Sequence, residues 1–255
     1  MGLRSQHGFS LIELMMALAL GSVVIASMYG TVVQQQRVVT RQEHVAEVNQ
    51  TVRLAMDAML TELRGAGYDP DGTAGAGIIE ADATHIRFTR DLNCNGSIAQ
   101  SGSAAPALGV LDRNDEDVAY TIDLSQVQRL DLHQGELQRT VFNRTADPTG
   151  LATGGAQPVA SNIVAGGFCY FLASDLTTCV PNPAPLDAIR MVQVTLTARA
   201  SAPDPQHTEP GVPADSPFKH YRQATLTSRL YLRNIGVQRG LSTEPQPFNN
   251  PCPLR

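Results

Sequence analysis

The stretch from residue 8 to residue 33 reads GFSLIELMMALALGSVVIASMYGTVV, and this stretch decides the fold. The apolar run from Leu14 to Val33 has about 20 residues, enough to cross a hydrocarbon core of about 30 Å as a helix. Glu13 stands at its start, where an intramembrane charge costs about 2.5–3.5 kcal/mol. Such a carboxylate predicts a cationic partner, and cleavage after Gly8 would create one, an ammonium group on Phe9.

The segment GFSLIELMMALAL resembles the N-terminus of type IV prepilins, in which a short leader ending in Gly precedes Phe, Ser/Thr-Leu-Ile-Glu and an apolar helix. The resemblance implies that residues 1–8 are a leader, and that a prepilin peptidase cleaves between Gly8 and Phe9 and methylates the Phe9 amine. Glu13 matches the assembly glutamate of that family. The alternative is an ordinary signal anchor with a stray Glu, since a secretory signal would be cut after its apolar run rather than before it.

The same resemblance predicts where the protein resides and what it contacts. It implies a single-pass protein of the inner membrane, with its C-terminal domain in the periplasm, that is incorporated into an extracellular pilus. The implied partners are the prepilin peptidase, the major pilin, other minor pilins and the assembly platform of the inner membrane. The net charge of -5 gives no sign of a nucleic-acid surface.

The first 66 residues predict one long helix, because no Pro occurs before Pro70. The helix is expected from Phe9 to about Gly65, with a transmembrane and assembly half at 9–33 and an amphipathic half at 34–66. An apolar stripe with helical spacing indicates a buried face on the second half. Its members are Val45, Val48, Val52, Met56, Met59 and Leu63. Glycines and Pro70 end the helix within residues 65–70.

Residues 67–255 change to short β-like runs separated by turn residues, which predicts a β-rich globular domain. A Pro-rich segment at 201–217 is expected to be an exposed loop between two antiparallel strands. The predicted fold class is therefore α+β, a long N-terminal helix packed on an antiparallel sheet, as in pilins. The predicted strands are His85–Thr89, Asp117–Leu124, Gln128–Leu132, Leu137–Asn143, Ile163–Ala173, Ala188–Arg199 and Tyr221–Ile235.

Two further stretches resemble PilW-type minor pilins. Residues 62–68 read ELRGAGY, like the end of the helix in that group, and residues 227–234 read TSRLYLRN, like its last strand. The resemblance implies a structural subunit that takes part in initiation or assembly of the type IV pilus. A J-like pseudopilin of type II secretion and a binding module at the pilus tip are the alternatives. None of the catalytic motifs H-E-x-x-H, G-x-S-x-G and G-x-x-x-x-G-K occurs, so we expect no enzyme.

Four cysteines outside the apolar run indicate an oxidising compartment. Sequence alone leaves three connectivities open. Cys169 and Cys179 are the favoured pair, because they flank a segment that can fold back on itself. Four reduced thiols are the alternative.

Asp91, Asn93, Asn95 and Gly96 match the opening of a calcium-binding loop, in which alternating oxygens point at one centre. The acidic ligand expected at the twelfth position is absent, because residue 102 is Gly. Calcium is the one cofactor the sequence suggests, and an Asx turn after the strand is the alternative. Replacement ligands could come from Asp112, Asp115, Glu116 or Asp117.

Overall fold

The computed structural model describes residues 10–70, 72–92, 96, 98, 116–125, 135–142 and 155–236. Helix α1 runs from Leu11 to Leu63, 53 residues, which at 1.5 Å per residue is about 80 Å long. No Pro interrupts it, so every turn beyond the first keeps its backbone hydrogen bonds. The long continuous helix predicted from the sequence is confirmed over these residues.

Among the described residues, eight β-strands follow the helix. The sequence does not predict the strands Ile78–Ala81 (β1) and Asp175–Val180 (β6). The strand Gln157–Leu172 (β5) begins six residues before the predicted Ile163. Its first residues, QPVASN, lack an alternating pattern, so the sequence does not indicate this earlier start. The predicted strand Gln128–Leu132 lies outside the described residues. The strands are β1 Ile78–Ala81, β2 His85–Thr89, β3 Asp117–Asp123, β4 Gly135–Val141, β5 Gln157–Leu172, β6 Asp175–Val180, β7 Ile189–Arg199 and β8 Gln223–Tyr231.

All the strand pairs are antiparallel, in the order β1-β2-β3-β4-β5-β7-β8. The 16-residue β5 holds the sheet together, pairing with β4 through its first half and with β7 through its second half. Tyr170 is opposite both Val180 and Val192, so β6 and β7 lie on opposite edges of β5. The α+β fold with a long helix and an antiparallel sheet is confirmed.

The second half of α1 lies across β5, β7 and β8. Its predicted apolar stripe is buried from Val48 onward, whereas Val45, one turn earlier, is exposed and does not belong to the core. Burying each such side chain stabilises the fold by about 1.5–3 kcal/mol. The buried helix residues are Val48, Val52, Ala55, Met56, Met59, Leu60 and Leu63, with Ala66 just beyond the helix.

The helix ends at Leu63, and four residues later Gly67 takes a left-handed backbone conformation, with φ of +74°. A Cβ atom there would lie 2.5 Å from Ile235 Cδ1 and 3.2 Å from the carbonyl oxygen of Asn234. The Gly67 N–H instead donates to the carbonyl of Thr89 at 2.9 Å and joins the chain to the end of β2. The helix thus ends two residues before the predicted range of 65–70, and within that range Gly67 is the residue whose conformation requires glycine.

The Pro-rich loop connects β7 and β8, which pair antiparallel as predicted. Backbone hydrogen bonds join its two sides. The Asp204 N–H donates to the carbonyl oxygen of His220 at 2.7 Å, and the Glu209 N–H donates to the carbonyl oxygen of Lys219 at 2.8 Å. Near its start the loop also reaches the helix, where Arg41 Nε lies 3.6 Å from Asp204 Oδ2. The loop therefore has its own backbone hydrogen bonds and contacts α1 near its start.

Candidate functional site

The first half of α1 presents an apolar surface with no cover from the described residues. Large apolar side chains from Leu11 to Val39 are exposed, and the mean hydropathy of the best window is 2.1. Among the described residues, α1 is the one helix long and apolar enough to cross a membrane. A continuous apolar surface of this size indicates contact with lipid or with other protein chains.

The polar side chains within this half are satisfied by the helix itself. Ser22 and Ser27 donate to carbonyl oxygens three residues earlier, each at 2.8 Å, and Thr31 donates to Ser27 at 3.1 Å. Such hydroxyls need no water. The segment can therefore enter lipid with its backbone and hydroxyl groups paired.

Glu13 lies in the first turn of α1, where the N-terminal end of the helix dipole favours a carboxylate. No side chain in the described part of the chain pairs with it. Gly8 and Phe9 lie outside the described residues, so cleavage and methylation stay predictions.

At the other end of the helix, Glu62 joins α1 to the sheet. Arg139 on β4 donates to it from Nε at 3.0 Å and from Nη2 at 2.9 Å, and the Tyr120 hydroxyl donates at 2.8 Å. Arg90 Nη2 lies 3.4 Å away. Burial disfavours the ionised form, but the hydrogen bonds from Arg139 and Tyr120 and the nearby arginine charges outweigh it and lower the pKa of Glu62.

Sequence reasoning missed this cluster. Glu62 belongs to the stretch ELRGAGY, which was assigned only a resemblance and a helix end. The sequence feature that could have indicated the cluster is an acidic residue, Glu62, one turn before the glycines that follow the helix. Its three partners come from separate strands and loops, so no spacing in the sequence could identify them.

A second buried ion pair joins β2 and β3. Arg87 donates to Asp117 from Nε at 2.8 Å and from Nη2 at 2.9 Å, and its guanidinium stacks 3.7 Å from the centre of the Phe142 ring. Glu80 lies 3.2 Å from Nη1, and hydrogen bonding to Asp117 raises the pKa of Arg87. Arg87 binds both oxygens of Asp117, so Asp117 joins β3 to β2.

The described part of the calcium motif forms a turn. Asp91 Oδ2 accepts a hydrogen bond from the Gly96 N–H at 3.0 Å, and Glu116 Oε1 accepts one from the Leu92 N–H at 3.1 Å. Neither bond is the bond to the residue two positions on that defines an Asx turn, so these contacts do not decide between the two interpretations. Asn93, Asn95, Asp112 and Asp115 lie outside the described residues, and calcium binding stays a prediction.

The structure joins Cys169 on β5 to Cys179 on β6, with Cα atoms 5.5 Å apart. This is the pair that the sequence favoured. The bond lies beside the Tyr170–Val180 pair of the two strands. It therefore fastens β6 to the end of β5. Cys94 and Cys252 lie outside the described residues.

Comparison with known proteins finds a family model that matches the N-terminal part of the chain. Residues 3–29 match the family model of the prokaryotic N-terminal methylation motif, a range that includes Gly8, Phe9 and Glu13. No curated protein matches the chain. Among solved structures, the chain is similar to the type IV-like pilin TTHA1219 from Thermus thermophilus, at 14% identity over 74% of this chain and 97% of that chain, with a TM-score of 0.42.

Proposed function

We propose that this chain, which carries the N-terminal methylation motif of type IV prepilins, is a minor type IV pilin, a structural subunit held in the inner membrane and built into a pilus. One observation carries the proposal: a single helix has two unlike halves. The half that starts at Glu13 exposes its apolar side chains, and the half from Val48 to Leu63 buries one apolar face against the sheet. The first half is thereby available to lipid in storage and to other subunits in a filament.

The chemistry of the motif explains how such a subunit would assemble. Cleavage after Gly8 leaves an ammonium group on Phe9, and methylation keeps that group cationic. A carboxylate in an apolar bundle is neutralised unless a cation pairs with it. Glu13 of one subunit and the Phe9 amine of a neighbour would provide that pair. The role is structural, because both groups act by pairing and neither needs to react after processing.

The periplasmic orientation of the β-domain follows from the same proposal. The helix would leave the membrane beyond Val33, and the domain would occupy the compartment in which the Cys169–Cys179 bond forms. The major pilin, other minor pilins and the assembly platform are the partners proposed from the motif. A pseudopilin of type II secretion would share the motif and the split helix, so the test must separate the two.

Intact-mass measurement of the protein from its native host tests the processing step. The mature chain should lack residues 1–8 and carry one methyl group. Gly8→Val should block cleavage, because the added side chain obstructs a protease that approaches the backbone closely, whereas Gly2→Ala in the leader should be processed normally. A mature chain that retains Met1 would contradict the proposal.

Fractionation tests the destination. In the native host, the processed protein should appear in sheared pili, and deletion of its gene should reduce the number of pili while leaving secretion of exoproteins unchanged. The opposite result, a secretion defect with normal piliation, would assign the chain to a secretion pseudopilus.

A further inference from the structure

A cleft of about 480 Å³ lies between α1 and the start of the Pro-rich loop, next to the end of the membrane-length segment. The helix side of the cleft is one stripe, with positions three or four residues apart. This stripe continues the buried face that begins at Val48, but its members are mostly polar or basic. The helix residues are Val33, Gln36, Arg37, Thr40, Arg41 and His44, and loop residues 203–206 form the other wall.

The cleft has a defined height relative to the membrane. If the hydrocarbon core ends at Val33, Arg37 lies about 6 Å and Arg41 about 12 Å beyond it along the helix. The headgroup layer adds about 5–8 Å on each side of a core of about 30 Å. Arg37 therefore lies within the headgroup layer, and Arg41 lies about 4–7 Å beyond it.

Charge in the cleft favours an anion. Arg41 is bound to the loop, through Asp204 at 3.6 Å and through the Gln206 side chain. The Asp204 carboxylate also binds Arg222 at 3.1 Å, so its charge is already matched by two arginines. Arg37 is exposed and has no ion-pair partner among the described residues. The cleft thus has an excess of positive charge.

One lining residue of the cleft, His44, has a polar atom that lacks a partner among the described residues. Nδ1 of His44 is buried and forms no hydrogen bond with any described residue. A buried ring nitrogen in this state costs free energy until a ligand or a water molecule satisfies it. The lining of the cleft therefore includes the Arg37 guanidinium and an imidazole with one unsatisfied nitrogen.

We propose that this cleft binds the phosphate headgroup of an anionic phospholipid, in the leaflet from which the helix emerges. Arginine guanidinium groups bind phosphate oxygens through paired N–H donors. A lipid fits better than a free anion, because Val33 continues the cleft into the acyl-chain region and lipid headgroups are present at the height of Arg37. The proposal rests on the membrane-anchored state of the proposed pilin. The lipid would accompany the stored subunit and be left behind when the subunit enters a filament.

Native mass spectrometry of the full chain, released from detergent with added lipid, tests the site. Phosphatidylglycerol should be retained about fivefold more than phosphatidylcholine with the same acyl chains. Arg37→Gln should remove this preference. Arg53→Gln is the matched control, because Arg53 is exposed on the same helix about 24 Å further along, and it should leave the preference unchanged.

Equal retention of both lipids by the wild-type protein, or an unchanged preference in Arg37→Gln, would overturn the proposal. So would displacement of phosphatidylglycerol by inorganic phosphate in excess, which would assign the cleft to a free anion. A lipid-free dimer that Arg37→Gln dissociates would assign it to a second copy of the chain and would also overturn the lipid proposal.

A separate reporter distinguishes failure of the lipid site from failure of membrane anchoring. The chain contains no Trp, so Tyr29→Trp provides a single fluorophore in the apolar half of the helix. In vesicles of brominated phosphatidylcholine its emission should be quenched. Quenching without a headgroup preference overturns the lipid site alone, whereas an absence of quenching overturns the membrane-spanning helix and the lipid site together.

Discussion

The Arg139 guanidinium holds the Glu62 carboxylate through two hydrogen bonds of 2.9 and 3.0 Å, across 77 residues of sequence. Glu62 is one residue from the end of α1, and Arg139 lies on β4. The pair therefore joins the last turn of the helix to the half of the sheet that the helix does not cover. Since the membrane-length half extends rigidly from the same helix, this contact helps to set its direction relative to the β-domain.

Glu62→Gln should destabilise the fold by about 2–3 kcal/mol. The variant removes the negative charge that compensates Arg139 and Arg90 and weakens the charge-assisted hydrogen bonds. Urea unfolding of the full chain in detergent, followed by near-ultraviolet circular dichroism, measures the effect. Glu43→Gln is the control, because Glu43 is exposed on the same helix and forms no ion pair with the described residues; its change should stay within about 0.5 kcal/mol. Equal effects of the two variants would show that the cluster does not stabilise the fold.

The stability contributed by Glu62 should depend on pH. Its folded-state pKa is lowered, so the contribution is present above the unfolded pKa of about 4.3 and is lost as pH falls through the folded pKa. The difference in unfolding free energy between the wild type and Glu62→Gln should therefore be full at neutral pH and shrink below about pH 4. Unfolding curves for both proteins across this range provide the measurement, and a difference that grows with acid would contradict the assigned sign.

Gly67→Ala should destabilise the protein more than Gly72→Ala. Both glycines have positive φ, +74° and +70°, so each substitution costs about 1–2 kcal/mol of backbone strain. A Cβ at Gly67 also meets Ile235 and Asn234, whereas a Cβ at Gly72 meets nothing within 4 Å. The difference between the free energies of unfolding of the Gly67→Ala and Gly72→Ala variants therefore measures the cost of the contact between a Cβ at residue 67 and Ile235 and Asn234. Equal losses would show that the contact with Ile235 relaxes without cost.

Replacement of both cysteines in Cys169→Ser/Cys179→Ser should lower the free energy of unfolding by about 2–3 kcal/mol, because the bond restricts the unfolded chain. The double variant avoids leaving one unpaired thiol. Non-reducing peptide mapping of the wild-type protein should recover the two cysteines in one cross-linked species, and denaturant unfolding should give the loss. Alkylation of both thiols without prior reduction would contradict the pairing.

Glu13→Ala should leave membrane insertion intact and reduce incorporation into filaments. The substitution removes an intramembrane charge, which makes insertion no less favourable, but it also removes the proposed partner of a neighbouring Phe9 amine. The β-domain lies tens of ångströms away along the helix and should fold normally. Membrane and sheared-filament fractions from a strain that lacks the native copy provide the comparison, with Glu43→Ala as the matched loss of charge outside the apolar segment. Equal recovery of Glu13→Ala and wild type in filaments would contradict an assembly contact.

The sequence by itself determined the helix and its division into two halves. An absence of Pro before Pro70, an unbroken apolar run and a stripe with helical spacing are local properties, and they act on the chain within a few turns. The same holds for the end of the helix near Gly67 and for strands with clear alternation, such as β2 and β7. These features could be predicted because the physical forces that produce them act between residues close in sequence.

Only the tertiary structure decided which distant groups meet. Strand β6 is largely exposed and has no alternating pattern of its own. It forms because its backbone pairs with the edge of β5 and because Cys179 is linked covalently to Cys169. Glu62 gained its partners Tyr120 and Arg139 from strands 58 and 77 residues away, and Asp204 brought the Pro-rich loop onto Arg41. Contacts of this kind depend on sheet register and loop closure, which are properties of the whole folded chain and leave no periodic signal in the sequence.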